Sequence, residues 1–200
     1  MKDTREHILN TSLLLFLQKS YRDVTMNELV NKTGLSKGAF YHYFASKEEL
    51  FKEIATGFFS MGAVKYSSFS KTSLNEFYHQ YIDSLNDSFV AINNLVDSPE
   101  DKTVKFNFFL ILFEVASRFP EFLKMESELH KNDVKEWIKI ISVARKRGEI
   151  KTKSTDEEIA DLFLYCTDGV FLRYVNNDTS KSYKEFLLNS YDTIYKNLKA

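Results

Sequence analysis

Two prolines, Pro99 and Pro120, and six glycines are all the strong turn punctuation in 200 residues. Average usage would place about 10 prolines and about 14 glycines in this length. A chain so short of turn formers has few places to reverse, so its elements must be long. Its apolar residues recur at steps of three and four rather than alternating, which selects helices over strands. Ile8, Leu9, Leu13, Phe16 and Leu17 predict an amphipathic helix over residues 4–19. With no alternating stretch of useful length, no repeat and no low-complexity tract, the expected fold class is all-α.

Local signals divide the chain into a small N-terminal module and a larger helical bundle. Thr25 is placed to cap a short helix carrying Leu29 and Val30, with Glu28 completing a capping box, and Thr33-Gly34 ends it. Ser36 caps the next helix, and Ser46 with Glu49 forms a second capping box ahead of Leu50, Ile54, Phe58 and Met61. The first 60 or so residues therefore read as four helices, the middle two short and joined by a tight turn. Beyond them, long helices are expected at 73–97, 101–118, 121–147, 156–176 and 181–198, broken at Ser98-Pro99, Pro120, Gly148 and Asn176-Asn177-Asp178. "FNFFLILF", residues 106–113, is apolar nearly all round and is expected at the centre of the bundle.

Charge and composition remove several classes of function. The net charge is −1, and residues 1–50 hold seven Lys and Arg against six acids, so bulk electrostatics demand no polyanionic partner. Cys166, the one cysteine, cannot form an internal disulfide. The start of the chain lacks a secretory apolar core, and no run approaches the ~20 apolar residues needed to cross a bilayer, so a cytoplasmic protein without a membrane partner is expected. His7, His42, His79 and His130 show no metal-ligand spacing. There is no nucleophile elbow, phosphate loop or dinucleotide fingerprint, so neither enzyme nor cofactor is expected.

"GLSKGAFYHYFASKEEL", residues 34–50, packs five aromatic rings into consecutive positions. At about 100 degrees per residue, Phe40 and Phe44 fall together on one side of a helix, while Gly38, Ala39, Tyr41 and His42 share the other. The first pair suits a core. The second set suits a duplex, because small residues admit the backbone to the major groove while hydroxyl and imidazole groups meet phosphates. Helix, turn and helix from Thr25 to Phe44 make a helix-turn-helix of about 20 residues.

Residues 25–51, "TMNELVNKTGLSKGAFYHYFASKEELF", closely resemble the DNA-binding segment of the TetR family of bacterial transcriptional regulators. Gly34, Ser36, Gly38, Tyr41, Phe44, the Ser46-Lys47-Glu48-Glu49 run and Leu50 stand where the family pattern places them. The resemblance covers about a quarter of the chain. It implies that Thr25, Tyr41, His42 and Lys47 contact phosphates and that Ser36, Lys37, Gly38 and Ala39 face the groove. Lys37 would be the base reader, matched to guanine O6 or N7, while Ala39 offers only apolar contact. Phe40, Phe44 and Leu50 would be core.

The same resemblance implies that residues 1–46 form the DNA-binding domain. Residues 47–200 would bind a small-molecule effector and form a homodimer, and the helix from Ser46 would connect the two. Tyr78, Tyr81, Phe106, Phe109, Phe113, Met125, Trp137, Tyr165 and Cys166 could line a site for a hydrophobic or aromatic effector, with Tyr78, Arg118 and Asp168 as polar anchors. Each of these rings has core packing as its ordinary role. Phe163, Val170, Phe171, Tyr174, Phe186, Tyr191 and Ile194, on the last two helices, are the expected dimer face, and a two-fold dimer would present two recognition helices to a palindrome. The expected function is a ligand-responsive transcriptional repressor acting on double-stranded DNA. The alternative is an all-α protein-interaction module with no affinity for DNA.

Overall fold

The computed structural model describes residues 2–94, 111–176 and 182–199, and every regular element among them is helical. The first four helices are α1 (Lys2–Gln18), α2 (Met26–Thr33), α3 (Lys37–Tyr43) and α4 (Lys47–Gly62). A 3₁₀ turn (Tyr66–Ser68) precedes α5 (Leu74–Asn94). Residues 111–118 belong to α6, followed by α7 (Pro120–Lys146), α8 (Asp156–Asn176) and α9 (Tyr183–Leu198). The expected all-α class holds. Pro120 opens α7 at the first helical position, where its missing N–H has no partner to lose.

The chain forms two compact units, residues 1–62 with 91–125, and residues 63–90 with 126–200. In the first, Ile8, Phe16, Leu29, Phe40, Phe44, Leu50 and Phe51 lose essentially all their exposure in one cluster. That cluster includes α4, because Leu50, Phe51, Ile54 and Ala55 share it with α1 to α3. Compactness therefore groups α4 with the helices before it, whereas a division at residue 46 rests on the motif. Ile111, Val115, Phe119 and Phe122 belong to the same cluster, but Phe113 is 68% exposed. The described end of the apolar run is thus one-sided rather than central. Residues 106–110, with the expected effector contacts Phe106 and Phe109, lie outside the described residues.

In the second unit, Trp137 stacks on Phe163 at 4.8 Å and meets Phe77, Tyr81 and Tyr191 edge-on at 5.1 to 5.9 Å. Edge-to-face rings of this kind add about 0.5–1.5 kcal/mol each beyond the area that they bury. Glu149, in the turn after α7, accepts from the backbone N–H groups of Leu74 and Asn75, from Ser73 Oγ and from the Tyr195 hydroxyl. The first turn of α5 thereby receives acceptors from a distant carboxylate. The turn itself is made by Gly148 in the left-handed conformation (φ 75°), with Glu149 N–H donating to Ala144 O.

The capping expectations hold in part. Thr25 and Ser36 accept from the N–H groups of Glu28 and Ala39, as expected. The Glu28 carboxylate also receives the Lys19 ammonium, which together with the Thr25 backbone N–H favours its charged form. Glu49 bonds one residue further out, to the N–H of Ala45. Full boxes close at Thr155 with Glu158 and at Ser182 with Glu185, the starts of α8 and α9.

Candidate nucleic-acid interface

Gly34, left-handed at φ 69°, ends α2 and sends its N–H to Asn31 O, a conformation that costs a residue with Cβ. Two residues later Ser36 starts α3, which keeps the linker tight. His7 Nε2 lies 3.0 Å from Thr33 O, and Thr33 Oγ1 donates to Val30 O, so α1 fixes the end of α2. α3 is then held by Phe40 and Phe44, both without exposure. Burying such a ring contributes about 1.5–3 kcal/mol.

The rest of α3 faces outward. Ser36, Lys37, Gly38, Ala39, Tyr41 and His42 are all exposed, Tyr41 by 45%, and Thr25 is exposed at the start of α2. A Cβ added to Gly38 would meet nothing within 4 Å, so the protein itself does not require glycine there. Each residue of the expected reading face is therefore open to solvent. Its members are small or hydrogen-bonding, and no acid stands among them.

Lys47 differs from its expected role. It is half-buried, and its ammonium donates to the backbone carbonyls of Tyr21 and Val24 at 2.7 Å each. It also lies 4.2 Å from the Tyr21 ring centroid. Burial, and then the nearby Arg118 guanidinium, depress its pKa. Two of its three donors are therefore committed to the turn before α2, which makes it a staple of the motif. Arg118 is likewise not a free effector anchor: it pairs with Glu114 and sits 4.3 Å over the same Tyr21 ring. Sequence reasoning passed over Tyr21 as part of a helix break; the only signal was an aromatic residue in an otherwise polar loop.

The expected effector residues divide between the units. Phe113, Arg118 and Met125 lie in the first, while Tyr78, Tyr81, Trp137, Tyr165, Cys166 and Asp168 lie in the second. Tyr78 is occupied by Asp192 and Asn75, and burial raises its pKa. Burial also pushes the half-buried Cys166 thiol up from its ordinary range. Among the described residues no group of three His, Cys, Asp or Glu could hold a metal ion.

Of the expected dimer residues, two are buried and five are partly buried. Phe163 and Tyr191 are wholly buried within the protomer, and Val170, Phe171, Tyr174 and Ile194 pack against the same core. Phe186, half-buried, meets Tyr174 at 6.3 Å. On α8 the outward stripe is instead Leu162, Tyr165, Gly169 and Leu172, at steps of three, four and three; the three side chains are 50%, 59% and 49% exposed. Both faces of α8 thus carry apolar residues, which periodicity alone does not tell apart.

Comparison with known proteins agrees with this geometry. Residues 8–54 match the profile described as bacterial regulatory proteins, tetR family. The uncharacterized HTH-type transcriptional regulator YerO of Bacillus subtilis is 44% identical over 50 residues, 25% of this chain and 17% of YerO. The chain thus spans less than a fifth of that relative's length. The HTH-type transcriptional repressor KstR2 of Mycobacterium tuberculosis is 22% identical over 173 residues, 85% of this chain and 80% of KstR2. The solved KstR2 structure superposes with a TM-score of 0.68 at 19% identity, over 98% of this chain and 95% of that one. A transcriptional regulator of Saccharomonospora viridis in complex with choline reaches 0.69 at 14% identity, over 99% and 98%. Such identities speak for the fold alone; the segment that carries the family resemblance is residues 8–54, which match the DNA-binding profile of the tetR family of bacterial regulatory proteins.

Proposed function

We propose that this chain is a cytoplasmic repressor that binds a palindromic operator as a homodimer and is released by a small-molecule effector. The observation that carries the reading is the sorting of α3, with Phe40 and Phe44 buried and Lys37, Gly38, Ala39, Tyr41 and His42 exposed together. Residues 1–46 read the DNA; residues 47–200 hold the effector and the dimer face, and α4 connects them. Lys37 reads a base in the major groove, Thr25, Tyr41 and His42 hold phosphates, and Lys47 braces the turn.

The outward stripe of Leu162, Tyr165, Gly169 and Leu172 is the surface offered to the second copy, with α9 alongside. A two-fold pair sets two α3 helices on half-sites about one helical turn apart. The aromatic interior of the second unit supports an effector reading, as does the choline bound by the Saccharomonospora viridis protein. The effector acts only through different affinities for the DNA-bound and released states.

The test is selection of bound fragments from random duplex DNA by the full chain. A palindrome bound with strong salt dependence is expected. No retained sequence, and no affinity for duplex DNA at low salt, would reject the reading and leave the protein-interaction module.

A further inference from the structure

Gly169 stands exposed within α8, and a Cβ added there would meet nothing within 4 Å among the described residues. Glycine is one of the poorest helix formers, and no neighbour within the protomer requires it at this position. It belongs to the outward stripe with Leu162, Tyr165 and Leu172, whose steps of three, four and three are the spacing of a seam between two paired helices. Tyr165 stacks on His130 of α7 at 6.3 Å and still keeps 59% exposure.

The four positions are symmetric about Thr167: Tyr165 and Gly169 lie two residues to either side, Leu162 and Leu172 five. Any seam of this spacing has such a midpoint; what is particular here is the choice of residues. In an antiparallel pair of identical helices centred on Thr167, Tyr165 meets Gly169 of the other copy and Leu162 meets Leu172, so each layer is filled. In a parallel pair every residue meets itself, which sets ring against ring in one layer and leaves two glycines facing across a void in another. Packed interfaces tolerate neither, so the residue types select the antiparallel order. Charge does not decide it, because on the helical wheel Asp161 and Asp168 border the stripe on one side and Arg173 on the other. Apolar burial is the driving term.

We infer that α8 pairs antiparallel with α8 of a second copy about a two-fold axis at the level of Thr167, each Tyr165 ring seated on the backbone of Gly169 across the axis. A two-fold contact uses one patch twice, which is what a stripe complementary to its own reverse provides. Glycine admits the ring because it has no Cβ to hold it off. The inference rests on the homodimer reading above and adds its direction, its register and its point of closest approach.

The experiment uses the full chain with Cys166→Ser, so that introduced cysteines are the sole thiols. Leu162→Cys and Leu172→Cys proteins are oxidised separately and as an equimolar mixture after subunit exchange. Along the antiparallel seam two copies of either position lie about 15 Å apart, beyond the reach of a disulfide. Covalent dimers should therefore form in the mixture and in neither protein alone. The reverse pattern establishes a parallel pair and overturns the register. As a second measurement, Gly169→Leu fills the seat. The dimer dissociation constant should rise about tenfold or more, while the diluted monomer melts no lower than its parent, because leucine favours helix and the position is open. An unchanged dissociation constant overturns the seating of Tyr165. Sedimentation of the parent chain separates this inference from the reading beneath it. A dimer that cross-links in no combination keeps the homodimer and overturns the α8 seam, whereas a monomer at every concentration rejects the homodimer itself.

Discussion

Lys47 Nζ lies 4.2 Å from the Tyr21 ring centroid and bonds the Tyr21 and Val24 carbonyls from the same position, while Arg118 approaches that ring to 4.3 Å. Tyr21 in turn packs on Phe16 and Phe51 at 5.9 and 4.6 Å. One loop residue therefore ties α1, α4 and α6 to the turn that sets α2. Lys47→Ala should lower stability by about 1–2 kcal/mol, through two lost charge-assisted bonds and a cation–π contact. The variant should bind operator more weakly, yet keep the slope of log affinity against log salt. A slope smaller by about 1 in Lys47→Ala, with an unchanged melting midpoint, would make Lys47 a phosphate contact instead.

The exposed face of α3 should behave oppositely. Tyr41→Ala and His42→Ala should leave the melting midpoint within about 2 °C, since surface changes cost about 0.5 kcal/mol or less. Each should weaken binding by a similar factor at every sequence. Lys37→Ala should flatten the salt slope by about 1 and also relax preference at one base pair of each half-site. Binding assays across a set of operator variants at several salt concentrations separate these outcomes. Unchanged affinity in all three variants would remove α3 from the interface.

The sequence made some of this legible and hid the rest for physical reasons. α3 could be sorted because its buried residues are Phe40 and Phe44 while its exposed ones are small or polar, so periodicity and polarity agree. On α8 they do not. Phe163, Val170 and Phe171 are no more apolar than Leu162, Tyr165 and Leu172, and only packing decides that Phe163 is buried and Val170 and Phe171 partly so while the other three are exposed. The carbonyl partners of Lys47 are hidden for a different cause. A lysine at a helix start looks solvent-bound unless one knows that the Tyr21 and Val24 carbonyls, 26 and 23 residues earlier, fold back beneath it.

The two apolar faces of α8 yield a paired prediction. Leu162→Asp and Leu172→Asp put charge on the outward stripe, so they should convert a dimer to monomer while helicity and the melting transition of the monomer persist. Phe163→Ala removes a wholly buried ring that touches Trp137, Tyr78 and Tyr191, and should cost about 3–5 kcal/mol. Sedimentation velocity and thermal melts read both. Dimers that persist in both Asp variants would move the interface elsewhere.

Glu149 gives the second unit a pH dependence. Burial works against its charge, but the N–H groups of Asn75 and Leu74, the Tyr195 hydroxyl and Ser73 more than offset that, and the carboxyl stays below its model-peptide value of 4.5. A folded pKa below the unfolded one means that its stabilisation is fully present above about 4.5 and is lost as pH falls through the folded value. Tyr195 is the mirror case. Burial and its bond to Glu149 raise it to about 12, so its share is present below the ordinary 10.0 and is lost as pH rises through about 12. Glu149→Gln should cost about 1–3 kcal/mol at neutral pH, because one amide oxygen replaces a carboxylate with four donors. In urea titrations the gap between the parent and Glu149→Gln should be flat near neutrality and should narrow as pH drops below 4.5. A gap of constant size down to about pH 3 would show that the carboxylate's charge is irrelevant and that only its shape caps α5.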